Sequence, residues 1–283
     1  MSKGYAIITG AGGGMGQEIT KAIAQAGYNV IMAGSMSEKN RTTREKLEKE
    51  TKGQIELIGL NLSDFNSINS FVEEIKNRAI SIHLLINNAG AMPPEARETS
   101  ENLEYCAATN YLGHYLLTHK LRPFMSEGTR IVNTVSLTYK MGKIKEDFFL
   151  PKYPKFFNRF IPYSNSKLAC VYFTLDLAEA WKKDGITVNC SDPGVVNTPI
   201  VKMYNKTIDW LSDIFFRPLI KTPQQGAATA IHLALSPELK LVTGELYANK
   251  KKRNIPSRIL NNPQRELLRN LTQKILENKQ IVL

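Results

Sequence analysis

Cysteine and histidine are scarce in this 283-residue chain, with three of the first and four of the second. Cys106, Cys170 and Cys190 form no CxxC or zinc-type spacing and each lies inside an apolar run. That argues against a disulfide framework and for buried, reduced thiols of a cytosolic protein. His83, His114, His119 and His232 fall at no ligand spacing, so no metal is assigned. His114 stands four residues after Asn110 on one helix face, and its expected role is structural. Long apolar runs are missing as well: none reaches the ~18–20 residues of a spanning helix. Met1 leads directly into a strand-like Tyr5-Ala6-Ile7-Ile8 without the parts of a secretory signal. A soluble, cytoplasmic protein is expected. Tandem repeats, low-complexity tracts and dividing linkers are also lacking, so residues 1–283 are read as a single domain.

Positive charge is not scarce. The net charge of +11 invites a nucleic-acid reading, but the basic residues are scattered. The exceptions are 39–52, where Glu45, Glu48 and Glu50 are mixed in, and Lys250-Lys251-Lys252-Arg253. No nucleic-acid motif with interleaved aromatics accompanies them, so no nucleic-acid partner is expected. The bland outcome is a solvated basic surface, part of which can attract a phosphorylated cofactor.

Strand signals alternate with helix signals along most of the chain. Nearly continuous apolar runs at 5–9, 29–33, 55–60, 82–86, 130–134, 186–191 and 244–247 suit parallel strands covered on both faces. Helical periodicity fills 15–25, 41–50, 68–77, 101–121, 164–183 and 224–235. Repeated β-α-β units of this kind build an α/β, doubly wound parallel sheet of about seven strands with helices on both faces. Two segments break the pattern. Residues 148–162 are aromatic-rich and interrupted by Pro151, Pro154 and Pro162, which predicts an irregular excursion. Residues 200–219 form an amphipathic stretch that includes Tyr204, Trp210, Phe215 and Phe216. In the tail, 250–283, a last helix after Pro263 carries Leu267, Leu268, Leu271, Ile275 and Leu276.

The first strand runs into Thr9-Gly10-Ala11-Gly12-Gly13-Gly14-Met15-Gly16, and a helix pattern follows at once. Glycines there let the backbone turn sharply and approach a pyrophosphate, while the helix start supplies unpaired N–H groups. Alone, such a loop is also compatible with plain structure. The spacing reads TGxxxGxG, and four further motifs follow in order. They are Asn87-Asn88-Ala89-Gly90, Asn110-Tyr111-Leu112-Gly113-His114, Ser136 ahead of Tyr163-Ser164-Asn165-Ser166-Lys167, and Pro193-Gly194 with Thr198. On these motifs, over residues 3 to 250, the chain resembles the short-chain dehydrogenase/reductase family, which has a Rossmann fold. Ile220-Lys221-Thr222-Pro223-Gln224-Gln225-Gly226-Ala227 and the long interval from Ser136 to Tyr163 are similar to its retinol-dehydrogenase-like branch.

The resemblance implies an NAD(P)-dependent oxidoreductase moving a hydride between nicotinamide and an alcohol or carbonyl carbon. Tyr163 would be the general acid/base. A free tyrosine titrates at about pH 10, so a tyrosine base near neutrality needs about 3–4 kcal/mol of phenolate stabilisation. Lys167 lies one helical turn on, and a unit charge ~4–5 Å away at an effective dielectric of about 20 contributes about that much. In this way Lys167 lowers the pKa of its partner. Ser136 would position the substrate oxygen, and Asn110 would hold a proton-relay water. The implied cofactor contacts are Thr9, Gly10, Gly12, Gly14, Met15, Gly16, Asn88, Ala89, Gly90, Lys167, Pro193, Gly194, Val196 and Thr198. A non-catalytic dinucleotide sensor or scaffold of the same fold is the alternative, and the intact Tyr163, Lys167, Ser136 and Asn110 speak against it.

Which nicotinamide nucleotide binds turns on the end of the second strand. The acidic residue that bonds a ribose diol and repels a 2′-phosphate is missing there; Gly34 and Ser35 stand in its place. NADP is therefore favoured over NAD, with Ser35, Lys39, Arg41 and Arg44 as phosphate partners. Ser35 departs from the arginine that related NADP-preferring sequences carry. Asn61, before Leu62, replaces the family's adenine-binding aspartate, and both are expected cofactor contacts. The resemblance also places a substrate lid at about 195–222. Together with Phe148, Phe149, Tyr153, Phe156, Phe157 and Phe160 it would form an apolar pocket for a small lipophilic alcohol, aldehyde or ketone. The same aromatics are compatible with loop core, a homo-oligomer contact, or, through the interleaved Lys143, Lys145, Lys152, Lys155 and Arg159, a peripheral membrane contact.

Overall fold

In the computed structural model, which describes residues 3–51, 53–197 and 220–283, eight strands form one sheet. They are β1 (Tyr5–Thr9), β2 (Asn29–Gly34), β3 (Ile55–Gly59), β4 (Ile82–Asn87), β5 (Met125–Thr134), β6 (Thr187–Asp192), β7 (Leu246–Ala248) and β8 (Lys251–Arg253). Their order is β3-β2-β1-β4-β5-β6-β7-β8, parallel up to β7 and antiparallel for β8. The eighth strand is an addition to the seven expected. A two-residue turn makes it: Asn249 and Lys250 both have positive φ (53° and 59°), the geometry that suits a hairpin. Three exposed basic residues carry no hydrophobic signal, and on an edge strand their charge discourages further pairing.

Side-chain alternation sorts the central strands onto two buried faces. Ile7, Ile31, Leu85 and Ile131 meet α3 (Phe65–Asn77), α4 (Gly113–Leu121) and α5 (Phe160–Ala180). Ala6, Ile8, Val30, Met32, Leu84, Ile86 and Val132 meet α1 (Gly14–Gln25), α2 (Glu38–Thr51) and α6 (Pro223–Leu235). Because both faces are covered, the strands read as unbroken apolar runs, and each buried isoleucine contributes about 1.5–3 kcal/mol. Strand order reverses between β1 and β4. In an open parallel sheet that reversal leaves a crevice beyond the carboxyl ends of the strands, where ligands bind.

The helix expected over 101–121 begins later. Asn102 has φ 57°, which ends any helix there, and the Glu104 carboxylate accepts from the N–H groups of Cys106 (3.0 Å) and Ala107 (2.7 Å). From Ala107 to Leu112 the turn is π-helical before α4 continues. Periodicity does not reveal such a widened turn, which occurs mostly near functional sites.

Beyond the sheet, α7 (Ser257–Leu260) leads to α8 (Gln264–Asn278). Leu268, Thr272 and Leu276 are its buried residues, and the Thr272 hydroxyl lies 2.8 Å from the Tyr111 hydroxyl. Arg265 (2.6 Å) and Arg269 (2.5 Å) both grip Asp176 of α5. Phe148 and Phe149 are buried against Tyr111, so this part of the aromatic excursion is core. Tyr153 and Phe156 of the same stretch are exposed. Leu268→Ala is expected to cost about 2–4 kcal/mol. Urea unfolding checks this: the midpoint falls at unchanged slope, whereas an unmoved midpoint would mean that α8 is not part of the cooperative unit.

Candidate active site

The glycine loop closes onto neighbours that tolerate no side chain. Gly10 has φ +64°, and a Cβ there would lie 2.9 Å from Ala89 Cα. A Cβ on Gly16 would lie 2.2 Å from the Gly10 carbonyl oxygen, and one on Gly14 3.2 Å from Pro223, the first residue of α6. Gly13 precedes α1 and offers no side chain to cap its first turn. An uncapped helix start beside a tight backbone turn fits a pyrophosphate.

One hydroxyl joins this loop to the next strand. Thr9 Oγ1 accepts from the N–H groups of Asn88 (2.9 Å) and Ala89 (3.0 Å) and lies 2.9 Å from His114 Nε2. Both oxygen lone pairs are used by the two amides, so the hydroxyl proton goes to Nε2. His114 is then the Nδ1–H tautomer, and Nδ1 donates to the Asn110 carbonyl (2.9 Å). The structural role expected of His114 is thus a link between the glycine loop and the π-helical turn. Asn88 Nδ2 donates to the Thr9 carbonyl (3.0 Å). Its Oδ1 is buried without a partner among the described residues, an acceptor that suits a ribose hydroxyl of a bound dinucleotide.

Asn110 is buried and fully engaged. Its side chain accepts from Ala91 N (2.7 Å) and donates to Ala91 O (2.9 Å) and Ser166 Oγ (3.0 Å). Its carbonyl also accepts from the Cys170 thiol at 3.3 Å. Ser166 Oγ in turn donates to the Tyr163 carbonyl (2.7 Å), which ties the π-helical turn to the start of α5.

Lys167 is buried, and Nζ donates to the Thr134 carbonyl at the end of β5 (2.8 Å). The ammonium lies 5.6 Å from the centre of the half-buried Tyr163 ring. The Gly90 backbone passes beside the cation: a Cβ there would be 3.5 Å from Nζ and 3.8 Å from Asn110 Oδ1, both ordinary contact distances. Ser136 follows β5 and starts the short helical turn Leu137–Met141. Gly142, which ends that turn, packs so closely on Ser164 that a Cβ would lie 2.4 Å from the Ser164 carbonyl oxygen. That contact sets the turn carrying Ser136 against the helix carrying Tyr163.

The remaining expected residues ring the same sheet edge. Ser35 follows β2 and is exposed. Asn61 Oδ1 already accepts from Ser63 N (3.1 Å) and Ser63 Oγ (2.8 Å), while Leu62 is buried against Gly113. Gly194 has φ +76°, and its N–H donates to Asp192 (2.9 Å). Val196 and Met15 converge on Gly226. Lys221 reaches the Pro193 carbonyl (2.6 Å), and its backbone pairs with Val195 and Asn197. Thr198, the amphipathic stretch 200–219 and most of the expected lid lie outside the described residues. The sequence reading missed Ser166, Thr134 and Lys221, whose parts depend on backbone carbonyls that no motif encodes. Among the described residues no group of three or more histidine, cysteine or acidic side chains is placed to hold a metal. Burial raises the thiols of Cys106 and Cys190, the latter to about 12, which makes them poor nucleophiles.

The profile of the short chain dehydrogenase family matches residues 4–150 and 151–209. Human retinol dehydrogenase 11 is 36% identical over 248 residues, covering 86% of this chain and 76% of the relative. Human polyprenol dehydrogenase is 34% identical over 262 residues, covering 87% and 77%. Among solved structures, an uncharacterized protein from Mycobacterium Paratuberculosis superposes with a TM-score of 0.76 at 23% identity, covering 98% of this chain and 94% of that one.

Burial pushes His114 down from its ordinary 6.5 to about 4, and Lys167 adds to the effect. Above pH 6.5 both the native and unfolded chains hold this histidine neutral, so its link is intact. As pH falls toward 4 the unfolded chain takes up a proton that the native one refuses. Stability should therefore drop by about 3 kcal/mol across that window. Denaturant titrations at stepped pH check this. The drop should shrink in His114→Asn, and an unchanged pH slope in that variant would assign it to other groups.

Proposed function

The chain belongs to the short chain dehydrogenase family, in its retinol-dehydrogenase-like branch, and on that premise we propose that it interconverts a lipophilic alcohol and its carbonyl using NADP(H). Membership carries the coarser statement: an oxidoreductase of CH–OH and C=O groups that uses a nicotinamide nucleotide. The observation that carries the finer reading is the buried Lys167 ammonium, anchored on the Thr134 carbonyl one helical turn from Tyr163.

When bound, the nicotinamide ring supplies the carbon that gives or takes the hydride. The protein's own side chains handle the proton and the oxygen. In oxidation, the Tyr163 phenolate takes the hydroxyl proton as the hydride leaves the carbinol carbon. In reduction, Tyr163 returns the proton to the oxygen as the hydride arrives. Lys167 holds a positive charge beside the phenol, its Nζ 5.6 Å from the centre of the Tyr163 ring. Ser136 donates to the substrate oxygen and fixes the carbonyl for attack. Asn110 supports the relay that returns protons to Lys167. Its carbonyl accepts from His114 Nδ1 (2.9 Å) and from the Cys170 thiol (3.3 Å).

For the nucleotide, the missing carboxylate after β2 removes the barrier to a 2′-phosphate, and Lys39 and Arg41 are exposed nearby. Arg44 contributes less than its position in the sequence implies, since Glu48 (2.6 Å) and Glu45 (3.5 Å) pair with it. For the substrate, Leu137, Met141, Phe160, Ile161 and Val195 are exposed apolar residues adjacent in the chain to Ser136, Tyr163 and Gly194. A rim of this kind favours an apolar alcohol over a sugar or an acid. The reading treats residues 1–283 as one domain in the cytoplasm. Among the described residues no helix is long and apolar enough to cross a membrane.

Tyr163→Phe tests the mechanism. NADPH should bind within about threefold of the parent, while kcat for reduction of a long-chain aldehyde falls by about 10²–10⁴. Calorimetry and NADPH oxidation read the two quantities, and unimpaired turnover would remove Tyr163 from the chemistry.

A further inference from the structure

The end of β2 holds no acidic residue to read the ribose, yet one side chain spans the place where such a residue would act. Asn40 sits in the first turn of α2, which Ser37 opens by accepting from Asn40 N (3.4 Å). Its Nδ2 donates to the Ser35 carbonyl (2.8 Å) and to Ser35 Oγ (3.2 Å). Its Oδ1 faces the glycine loop so closely that a Cβ on Gly12 would lie 1.9 Å from it. The carboxamide therefore bridges the two backbones, that of the loop and that of the strand end, between which the adenosine half of a dinucleotide enters.

We propose that Asn40 is the residue that discriminates the ribose 2′-substituent, with Ser35 as its partner and the 2′-phosphate as the preferred group. This rests on the nicotinamide-nucleotide reading given above and assigns the selectivity to a residue outside the loop and strand motifs. An amide N–H and two hydroxyls, Ser35 and Ser37, give neutral donors to a phosphate without the repulsion of a carboxylate. Lys39 and Arg41, both exposed, flank Asn40 in the chain and outnumber the single carboxylate of that turn, Glu38. When the phosphate enters, Nδ2 exchanges the Ser35 oxygens for a phosphate oxygen. The bridge seen here is then the resting position of the selector. Gly12 is glycine on this view because a side chain would expel Asn40 from the crevice, a reason separate from the tight turn of the loop.

The experiment is isothermal calorimetry of the full chain with adenosine 2′,5′-bisphosphate and with AMP, which need no hydride chemistry. Parent, Asn40→Ala and Asn40→Asp proteins are compared, with NADPH and NADH titrated in parallel. Asn40→Ala should weaken the 2′-phosphorylated ligands about tenfold and leave AMP and NADH within about threefold. Asn40→Asp should reverse the preference, with a loss of about a hundredfold for NADPH and none for NADH. If the parent binds the nucleotides and both variants keep its ratio of affinities, the assignment of Asn40 is overturned while the cofactor reading stands. If the parent binds none of the four ligands, the nucleotide reading falls and the assignment falls with it. A parallel loss of all four affinities in both variants would make Asn40 a general support of the loop and also overturn its role as selector.

Discussion

The hydroxyl of Thr9 is the contact on which the site depends. It lies at the carboxyl end of β1, where strand order reverses, and it saturates both lone pairs with amides from the end of β4. Its one proton must then go to His114, which sets the ring tautomer and commits Nδ1 to the Asn110 carbonyl. Three segments distant in sequence are registered by a single side chain. Serine would keep the bonds but lose the methyl group; valine would keep the shape and leave two partly buried amides without this acceptor.

From that point the groups proposed for catalysis are assembled by backbone as much as by side chains. Thr134 anchors Lys167 through a carbonyl, and Ser166 couples Asn110 to the carbonyl of Tyr163. Substituting the residue that lends a carbonyl would leave the bond in place. Thr134 can therefore vary in sequence without altering the site, whereas Gly142 cannot accept a side chain because its Cβ would lie 2.4 Å from the Ser164 carbonyl oxygen in the helix carrying Tyr163.

Much of this was legible in the sequence, for identifiable reasons. Strands β1 to β4 and β6 are legible to within about one residue because burial on both faces leaves an apolar signature that turns interrupt, whereas β5 begins at Met125, ahead of the apolar run at 130–134. The glycine loop, Asn87-Asn88-Ala89-Gly90 and Tyr163–Lys167 are legible as motifs, and the strand order adds that β1 and β4 flank the point where it reverses. Other parts left no trace in a linear reading. Strand β8 is made by turn geometry and not by hydrophobicity, and the π-helical turn differs from an α-helix by one residue per hydrogen bond. Asn61 is an expected cofactor contact, and the local turn in which its side-chain oxygen accepts from Ser63 is not legible in the sequence. Asn40 carries no motif; its position is a product of how α2 packs beside the loop.

The covering of the π-helical turn by α8 has a consequence for the order in which the molecule is made. Tyr111 and Asp176 belong to the face that carries Asn110 and α5, yet the groups that satisfy them, Thr272, Arg265 and Arg269, come from the segment translated after everything they cover. Domains generally fold as units while synthesis proceeds. Here the face that carries Asn110 would spend that interval without the partners that α8 gives the Tyr111 hydroxyl and the Asp176 carboxylate. A nascent chain of this kind has a period of exposure that ends only when α8 is free to dock.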